Sequence, residues 1–363
     1  MGSSQSISVE EQQPGPTLSS LLSDEIVQWD IVHRTLKHQP EQALLYAHGV
    51  EPSQLRVALT RSAPVDIVRM LVEADEDSLD QPSLDGKTVL HLARNEADTV
   101  SFLLSERPGL AKAIDCKGRL PLHSCSNAAA ASRLIQAFPE GVTQRSIECG
   151  SVPLHYALVE EILDVQLLQT LAKQPRALSS RNKRGQTPIK LLAGRLQEKF
   201  NDDLWRVLLE WVQMVQPTAI RLHALIENGC CNSKHLMDRA LKDFFHQANE
   251  RDVHGRTPLH IAACCGRCST GSLESLLRAN PNAPRMTDNE GRLPIDLAAE
   301  SPNMQTQGLA MLAKSEPRAI DTRDLRDGHY PFVSAALGEE SSVNNTYFLL
   351  RAKPHVLSYF HLP

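Results

Sequence analysis

Apolar residues fall along this chain in short runs at helical spacing, and polar turns separate the runs. The clearest run lies within residues 252–266, where Leu259, Ala262 and Ala263 place an apolar face with little bulk on one short helix. Gly255 precedes this helix and supplies the unrestricted backbone that a tight turn needs. So short a helix cannot bury its apolar face alone, and the pattern therefore predicts a neighbouring helix packed against it.

The ends of this helix carry matching signals, and the whole arrangement recurs along the chain. Thr257 is a good N-cap, Pro258 suits the first helical position, and Gly266 ends the helix. The turn glycines of the recurring arrangement are Gly86, Gly118, Gly150, Gly185, Gly255, Gly291 and Gly328. They lie 32 to 37 residues apart, except for the 70 residues between Gly185 and Gly255, which correspond to two periods.

This period, together with the order Thr-Pro-Leu-His-x-Ala at residues 257–262, resembles the ankyrin repeat. A proline also recurs in phase, ten residues before the turn glycine at Pro108 and Pro281, where the family usually has Gly-Ala after its second helix. The resemblance implies an all-α ankyrin-repeat solenoid of about nine helix–turn–helix units with hairpin-like finger loops. It also implies a role in protein–protein interaction through the concave face of fingers and first helices.

The predicted repeat domain covers residues 24–363 and includes a cap at each end. Residues 24–45 are predicted to form the N-terminal capping helix, and residues 325–363 the last unit and cap. One unit is irregular, because a helical pattern starts five residues after Pro217 and leaves no room for the usual turn. We therefore expect a break in regularity around 195–230, and hence a bend or a functional notch.

The N-terminal segment is predicted to be a tail with one candidate modification. Residues 1–23 are rich in Ser, Gln, Glu and Pro, a composition that predicts disorder. The first six residues fit the N-myristoylation pattern, with Gly2 as the acceptor. Stable anchoring takes two signals, and no Lys or Arg precedes Arg34, so an acyl chain would give weak and reversible membrane association. The alternative is an unmodified tail.

Charge and cysteine usage exclude several classes of protein. The net charge of −5 argues against a nucleic-acid binder that relies on neutralising phosphates. No run of 18 apolar residues predicts a transmembrane helix, and the N-terminus has no secretory signal pattern. The eight cysteines do not form a disulfide framework, so we expect a cytoplasmic protein in a reducing compartment.

Histidines recur with the period and raise the question of a metal site. They are His91, His123, His155, His223 and His260. Copies on successive units should lie about 10 Å apart, the spacing of packed helices, which is too far to share one ion. In the ankyrin-repeat family this histidine bonds back to the turn, and the resemblance implies the same role here.

Four cysteines present an alternative chemistry. Cys265 and Cys268 form a lone CxxC motif, and Cys230 and Cys231 lie more than one repeat earlier. A zinc or redox site would require these thiols to meet, which the sequence leaves open. The other interpretation is that they pack as small apolar residues.

No nucleophile–base set, phosphate loop or metal-ligand group is visible, and the repeats leave no room for a catalytic domain. We therefore predict a monomeric, non-catalytic interaction protein with no cofactor, whose partner is another protein. Finger-tip residues are the candidate partner contacts: Lys117, Asn182, Lys183, Arg184, His254, Glu290, Arg326 and Asp327. The alternatives are a membrane-associated regulator acylated at Gly2 and a zinc or redox sensor that uses the cysteine pairs.

Overall fold

The computed structural model describes residues 18–23, 27–39, 41–42, 53–93, 96–326, 328–337 and 343–354. These residues form helices and turns, and no strand occurs among them. Within the same residues no helix combines the length and the apolar character needed to cross a membrane. The predictions for Gly2, for Asp327 and for the end of the last cap at 355–363 lie outside the described residues.

The chain divides into two compact units. The first comprises the described residues up to Ala177 together with Asn182–Arg184, and the second comprises Leu178–Arg181 and the described residues from Gly185 onward. The first unit contains α1 (Leu18–Ser23), α2 (Trp29–His38), α3 (Gln54–Thr60), α4 (Val65–Ala74), α5 (Val89–Leu92), α6 (Ala97–Glu106), α7 (Ala128–Ala137), α8 (Pro153–Ala157) and α9 (Val165–Leu171). Helix α10 (Pro175–Ser179) contains residues of both units.

The second unit contains the remaining helices. They are α11 (Pro188–Glu198), α12 (Asp202–Val215), α13 (Arg221–Glu227), α14 (Lys234–Phe244), α15 (Pro258–Cys265), α16 (Thr270–Ala279), α17 (Pro294–Glu300), α18 (Thr306–Ser315), α19 (Pro331–Leu337) and α20 (Val343–Ala352). Short 3₁₀ turns follow many of the second helices, as at Pro108–Lys112 and Pro139–Thr143.

A first helix and a second helix alternate along each unit, and α15 with α16 shows why the pair forms. Pro258 occupies the first position of α15, and the helix ends at Gly266, whose φ is +65°. Every residue from Pro258 to Ala263 is buried, because α13 and α17 pack against α15. Helix α16 buries Leu273 and Leu276 and packs in the same way against α14 and α18. The predicted all-α solenoid is confirmed, whereas the count of about nine units stays a prediction.

The prediction of a disordered tail over residues 1–23 is wrong at its C-terminal end. Leu18, Leu21 and Leu22 are buried on α1, which packs against α2 and α3. These leucines lie at i, i+3 and i+4, so they share one helix face that the polar composition of the segment conceals. The N–H of Leu18 also donates to Gln42 Oε1 at 2.7 Å. The array of helices therefore begins before residue 24.

The connection between α12 and α13 lacks the turn that precedes other first helices. Helix α13 begins at Arg221, four residues after Pro217, and the connection at 216–220 contains no glycine. Helix α12 has 14 residues and buries both Trp205 and Trp211. The large side chains enlarge the contact of α12 with its neighbours, which explains why this region packs without the turn. The bend expected around 195–230 stays a prediction.

Two turn glycines in the second unit differ in their surroundings and provide a matched test. Gly185 and Gly255 have φ of +72° and +74°. A Cβ at position 255 would lie 2.9 Å from the backbone nitrogen of Asn289, whereas no atom lies within 4 Å of a Cβ at position 185. We expect Gly185→Ala to lower the free energy of unfolding by about 1–2 kcal/mol, the cost of left-handed backbone. Gly255→Ala should cost at least about 1 kcal/mol more, because the following turn must move.

Urea denaturation of the full chain measures both losses under identical conditions. Because both substitutions change the unfolded chain in the same way, their difference isolates the contact with Asn289. Equal losses for the two variants would contradict this account of turn packing.

Candidate partner-binding surface

A hairpin-like turn, called a finger below, precedes most of the first helices. The fingers are residues 83–87, 115–119, 146–151, 182–186, 252–256, 288–292 and 324–329. A main-chain bond closes most of these hairpins, as from the N–H of Asp115 to the carbonyl of Arg119 at 3.0 Å. The glycine near the end of the finger has a positive φ, which is +70° at Gly118. Every finger is thus a defined backbone shape and not an open loop.

An aspartate–arginine pair holds the shape of three of the fingers. In the finger 115–119, Asp115 Oδ1 accepts from the N–H groups of Lys117 and Arg119 at 2.9 and 2.8 Å, and Oδ2 accepts from Arg119 Nε at 2.7 Å. Burial opposes ionisation of Asp115, but the bonds from Arg119 prevail and lower the pKa of its carboxyl group. Asp252 with Arg256 and Asp288 with Arg292 repeat the arrangement. This pair was not predicted, although the repeated order Asp-x-x-Gly-Arg signals it.

Main-chain hydrogen bonds also join successive fingers. The second residue of one finger donates its N–H to the carbonyl of the residue before the glycine of the preceding finger. The bonds run from Cys116 to Asp85, from Ile147 to Lys117, from Lys183 to Cys149 and from Asn289 to His254, each at 2.9 Å. Side chains also contact the preceding finger, since Ile147 packs over Gly118 and Leu325 packs over Gly291. The fingers joined by these bonds thus form a row with a fixed register within each unit.

Large apolar side chains are exposed at the second position of several fingers. Leu84 is fully exposed, and Ile147, Val253 and Leu325 are exposed as well. A single exposed apolar residue needs no explanation, but the repetition at one position of the row is a pattern. The tips therefore offer apolar contacts on a rigid backbone.

The predicted tip residues of the first unit lie on neighbouring fingers. Lys117 Nζ lies 3.2 Å from Glu148 Oε2, and Lys183 Nζ donates to the carbonyl of Ile147 at 2.8 Å. Asn182 Oδ1 accepts from the N–H of Arg184 at 3.0 Å, the role that Asp115 has in its own finger. Lys117, Lys183 and Arg184 are exposed, whereas Asn182 shapes the finger from a half-buried position.

The predicted tip residues of the second unit are partly joined to each other. The N–H of His254 donates to Asp252 Oδ1 at 2.9 Å, so its backbone belongs to the finger while its side chain stays exposed. Glu290 and Arg326, on successive fingers, approach to 4.0 Å, and Arg326 also pairs with Glu300 at 2.8 Å. These charges have both signs, as the sequence predicts for a surface with no preference for one sign of charge.

A hollow beside the fingers of the first unit adds a concave element to the surface. Its volume is about 310 Å³, and side chains from several successive segments line it: Leu59, Ala63, Lys87, His91, Glu96 and Arg119. Both apolar and charged side chains line its wall. It can accept a side chain of a partner that lies along the row.

The recurring histidines join each first helix to the next finger. Nδ1 of His260 accepts from the N–H of Thr257 at 3.2 Å, and Nε2 lies 3.3 Å from the carbonyl of Arg292. Since Nδ1 accepts, the proton is on Nε2, which donates to the carbonyl. His91 repeats both contacts with Thr88 and Arg119. The family role implied by the resemblance therefore extends to the neighbouring unit.

Burial keeps these imidazoles neutral. It lowers the pKa of His123 and of His260 to about 4, although bonds to backbone carbonyls act in the opposite direction. It also lowers the pKa of His91 and His223. A neutral imidazole is the form that can accept at Nδ1 while it donates at Nε2. No group of three or more potential ligands in the described part of the chain is placed to hold a metal ion.

Of the four cysteines considered for a zinc or redox site, Cys231 and Cys268 form a hydrogen bond with each other. The thiol of Cys268 donates a hydrogen bond to Cys231, which lowers the pKa of Cys231 and raises that of Cys268. The N–H of Ser269 donates to the carbonyl of Cys231 at 2.9 Å, so the two backbones also meet. Burial raises the pKa of Cys230 and of Cys265. The four residues thus pack as thiols at the contact between two helix pairs.

A different cysteine, Cys149 on the finger 146–151, lies where hydrogen bonds favour ionisation of its thiol. The sequence did not reveal this environment. Its Sγ lies 3.2 Å from Ser146 Oγ and 3.2 Å from Tyr156 Oη. Partial burial opposes ionisation, but hydrogen bonds from Ser146, Ser151 and Tyr156 prevail and lower the pKa of Cys149 to about 7. Finding this site from sequence would require knowing that α8 brings Tyr156 back to the finger.

The histidine environment predicts a stability loss in mild acid. The pKa of His260 is about 4 in the folded chain and about 6.5 when unfolded, so only the unfolded chain binds the proton between these values. The contribution is therefore complete above about pH 6.5 and is lost as the pH falls towards 4. Between pH 7 and 4.5, His260→Gln should lose about 1–3 kcal/mol less free energy of unfolding than the unsubstituted chain. His246→Gln, on an exposed residue, is the control. Identical losses in the two variants would refute the prediction.

The thiol environment predicts selective alkylation. At pH 7 iodoacetamide should modify Cys149 at least about a hundredfold faster than Cys125 or Cys265, because the thiolate is the reactive form and burial raises the pKa of the other two. Tyr156→Phe removes one hydrogen-bond donor and should slow the reaction at Cys149. Peptide mass spectrometry of partially alkylated full-length chain gives the order. A rate at Cys149 unaffected by Tyr156→Phe would show that the hydrogen bond does not activate it.

Comparison with known proteins bears on this geometry. Residues 254–285 match the family model for the ankyrin repeat. A search of curated proteins found no match. Among solved structures, the chain is similar to the ankyrin repeat domain of Bcl-3, described as a unique member of the IkappaB protein family. That alignment covers 73% of this chain and 99% of the other, with 16% sequence identity and a TM-score of 0.39.

The matched segment 254–285 begins in the finger 252–256 and continues through α15 and α16. It contains the positive-φ glycine, the capped helix, the histidine that bonds to the next finger and the second helix that ends before the 3₁₀ turn at Ala283–Arg285. A turn glycine with positive φ also occurs at Gly86, Gly118, Gly150, Gly185, Gly291 and Gly328. Residues 254–285 are therefore an ankyrin repeat, and the resemblance predicted from the sequence is confirmed by this match.

Proposed function

We propose that this protein is a non-catalytic adaptor or scaffold that binds another protein along its row of fingers. Ankyrin repeats support the general role in protein–protein interaction. The observation that carries the more specific proposal is the fixed register of neighbouring fingers, in which main-chain bonds at 2.9 Å join four of the fingers to the finger before them. A surface of this kind is ordered before the partner arrives, so binding does not pay for loop ordering.

The side chains at the tips suit a partner of mixed character. In the first unit, the exposed Leu84 and Ile147 lie on fingers whose neighbouring tip residues are Lys117, Glu148 and Lys183. Apolar anchors surrounded by charges of both signs resemble the core and rim of an ordinary protein interface. The hollow beside these fingers offers space for one inserted side chain. A folded or extended protein segment fits these features, and the proposal has the array act as a monomer.

The proposed role is non-catalytic because the buried polar side chains form hydrogen bonds within the array. The imidazoles and the buried aspartates bond to backbone groups within the array and hold it together. The atoms that make these bonds are occupied within the array, which supports a structural role for the side chains. Acylation of Gly2 would add weak membrane association to the same scaffold and stays a prediction.

Charge and apolar substitutions at the tips test the proposal. The intact chain, immobilised and exposed to an extract of its source cells, should capture partners that a Lys117→Glu/Lys183→Glu double variant and a Leu84→Asp variant capture about tenfold less. Lys173→Glu, an exposed lysine that follows α9 and lies on no finger, is the control. Cross-linking of the captured protein should place it at the fingers.

The proposal fails if the tip variants capture the same proteins in the same amounts as the control while remaining folded by circular dichroism. It also fails if the cross-links fall only on second helices. Either result would move the binding surface away from the finger row.

A further inference from the structure

A second hollow lies in the second unit, between two successive repeats. One wall comes from the segment around the finger 288–292, and the other from the segment that leads into the finger 324–329. Its volume is about 820 Å³, which makes it larger than the hollow of the first unit. We call it the arginine hollow and define it by six of its lining residues: Arg285, Leu293, Glu316, Arg318, Arg323 and Leu325.

The arginine hollow combines an apolar floor with a charged rim. Leu293 and Ala319 line it and are buried, so they form its floor. All three of its arginines are exposed, and so is the large apolar side chain of Leu325. Short 3₁₀ turns at Ala283–Arg285 and Ala319–Asp321 fix the backbone on both walls. An occupant can therefore meet apolar surface and cationic groups at the same time.

One of the three arginines already holds a carboxylate of this chain. Arg285 Nε donates to Glu316 Oε2 across the hollow. This hydrogen bond lowers the pKa of the Glu316 carboxyl group, so the group stays ionised at neutral pH. The other oxygen, Oε1, accepts from the backbone N–H of Arg318 at 3.3 Å. Both oxygens of Glu316 thus have partners, and neither partner is the guanidinium of a second arginine.

The guanidinium groups of Arg318 and Arg323 are not neutralised. Within the described part of the chain, neither forms an ion pair with a carboxylate. Arg323 lies over the ring of Tyr330, 4.9 Å from its centroid, and this contact leaves the N–H groups at the guanidinium edge available. The nearby carboxylate of Asp321 is taken by Lys353 at 2.7 Å. Two cationic groups on one rim are therefore open to a ligand.

The hollow of the first unit shows the opposite state of its cations. There Lys87 pairs with Asp85 at 3.7 Å, and Arg119 pairs with Asp115 at 2.7 Å. Asp324 stands in the finger 324–329 where Asp115 stands in its own finger, but its Oδ2 is buried and accepts no hydrogen bond. No arginine of the rim is thus paired with the finger aspartate. The arginine hollow keeps an excess of positive charge that the first hollow does not have.

We propose that the arginine hollow binds a phosphorylated serine or threonine of a partner protein, together with an apolar residue beside it. Such a phosphate carries a charge of about −1.5 to −2 near pH 7. That charge matches the rim, where three arginines face one glutamate. The guanidinium groups of Arg318 and Arg323 donate to the phosphate oxygens, and the apolar neighbour packs against Leu325. This is recognition of a phosphorylated segment by clustered arginines.

Charge and surface together favour this occupant over other anions. A single carboxylate carries one charge and would leave one guanidinium open, as Glu316 takes the guanidinium of Arg285 alone. A free phosphate ion would leave the apolar side chain of Leu325 uncovered. The net charge of −5 opposes a long polyanion such as a nucleic acid, whereas one phosphate meets only the local excess. The inference goes beyond the proposed function, because it adds a second contact that modification of the partner would control.

A short phosphopeptide tests the inference without a natural partner. The probe is a peptide with blocked ends and the sequence Ala-Gly-Leu-phosphoserine-Leu-Gly-Ala. Added to the ¹⁵N-labelled full-length chain, it should shift the Nε–H signals of Arg318 and Arg323. The same peptide with serine in place of phosphoserine should bind at least about tenfold more weakly, because it brings no charge to the rim. A peptide with glutamate at that position should also bind more weakly than the phosphopeptide.

Matched substitutions locate the binding. The Arg318→Ala/Arg323→Ala variant should bind the phosphopeptide about tenfold more weakly or worse. The control is Arg206→Ala/Arg278→Ala, which removes the same charge from exposed arginines that do not line the hollow. An Arg318→Lys/Arg323→Lys variant should fall between the two, because lysine keeps the charge and loses the planar fork. If the loss of Arg323 from the ring of Tyr330 disturbs the fold, Arg318→Ala alone decides the matter.

Several results would overturn the inference. Equal binding of the phosphoserine and serine peptides, or equal binding by the alanine double variant and its control, would show that the hollow does not read a phosphate. Inorganic phosphate that binds as tightly as the phosphopeptide would reduce the hollow to a general anion site. A single-stranded oligonucleotide that binds there more tightly would make a nucleic acid the occupant.

The finger-tip variant separates this inference from the proposed function. Lys117→Glu/Lys183→Glu changes the first unit only and should leave phosphopeptide binding unchanged. Partner capture that depends on these two lysines, with no phosphopeptide binding at the arginine hollow, would refute this inference alone and leave the proposed function standing. Phosphopeptide binding that depends on Arg318, without any effect of the tip variants on capture, would do the reverse.

Discussion

A buried imidazole that bonds to two units at once is the interaction on which this array depends. His260 accepts from the start of its own helix and donates to the finger of the next unit, and His91 does the same. Neither unit alone can satisfy both nitrogens. Because an unpaired buried polar group costs about 1–3 kcal/mol, a unit separated from its neighbour loses more than apolar contact. The histidines therefore couple folding along the row.

The same contact explains how the repeats tolerate drift at the helix cap. Leu120 and Val152 stand where Thr88 and Thr257 stand elsewhere, and neither has a side-chain oxygen. Their backbone N–H groups nevertheless have a partner, since Nδ1 of His123 and of His155 accepts from them at 3.0 and 3.2 Å. The imidazole thus takes over the role of the missing hydroxyl. The loss of threonine should cost less than the roughly 1 kcal/mol typical of a lost N-cap.

Where the histidine itself is replaced, one half of the contact survives. Asp296 stands in its place on α17, and its Oδ2 accepts from the N–H of Leu293 at 2.8 Å. An ionised carboxylate has no N–H and cannot donate to a carbonyl of the following finger. Asp296 therefore still caps its own helix, but it cannot make the N–H bond by which a histidine joins the next unit. Uneven coupling along one chain follows from a single change of residue type.

The elements with local causes were predictable from sequence, and those that depend on contacts at a distance were not. The turn at Gly255, the cap at Thr257 and the stop at Gly266 are set by neighbouring residues, and each appears as predicted. Helix α1 was missed, because its three leucines matter only once α2 and α3 cover them. That Nδ1 of His223 has no hydrogen-bond partner could not be predicted from the sequence, for a similar reason. The sequence predicts the irregular turn before His223, but not that its Nδ1 is left without a hydrogen bond.

The connection between α12 and α13, which has no finger, shows that helices and fingers carry separate tasks. Helix α12 buries Trp205 and Trp211 and therefore packs firmly without a finger after it. Helix α13 still lies against α15, and His223 still reaches the carbonyl of Arg256 at 2.8 Å. Stability at this point comes from the helices, so the finger could be removed without unfolding the row.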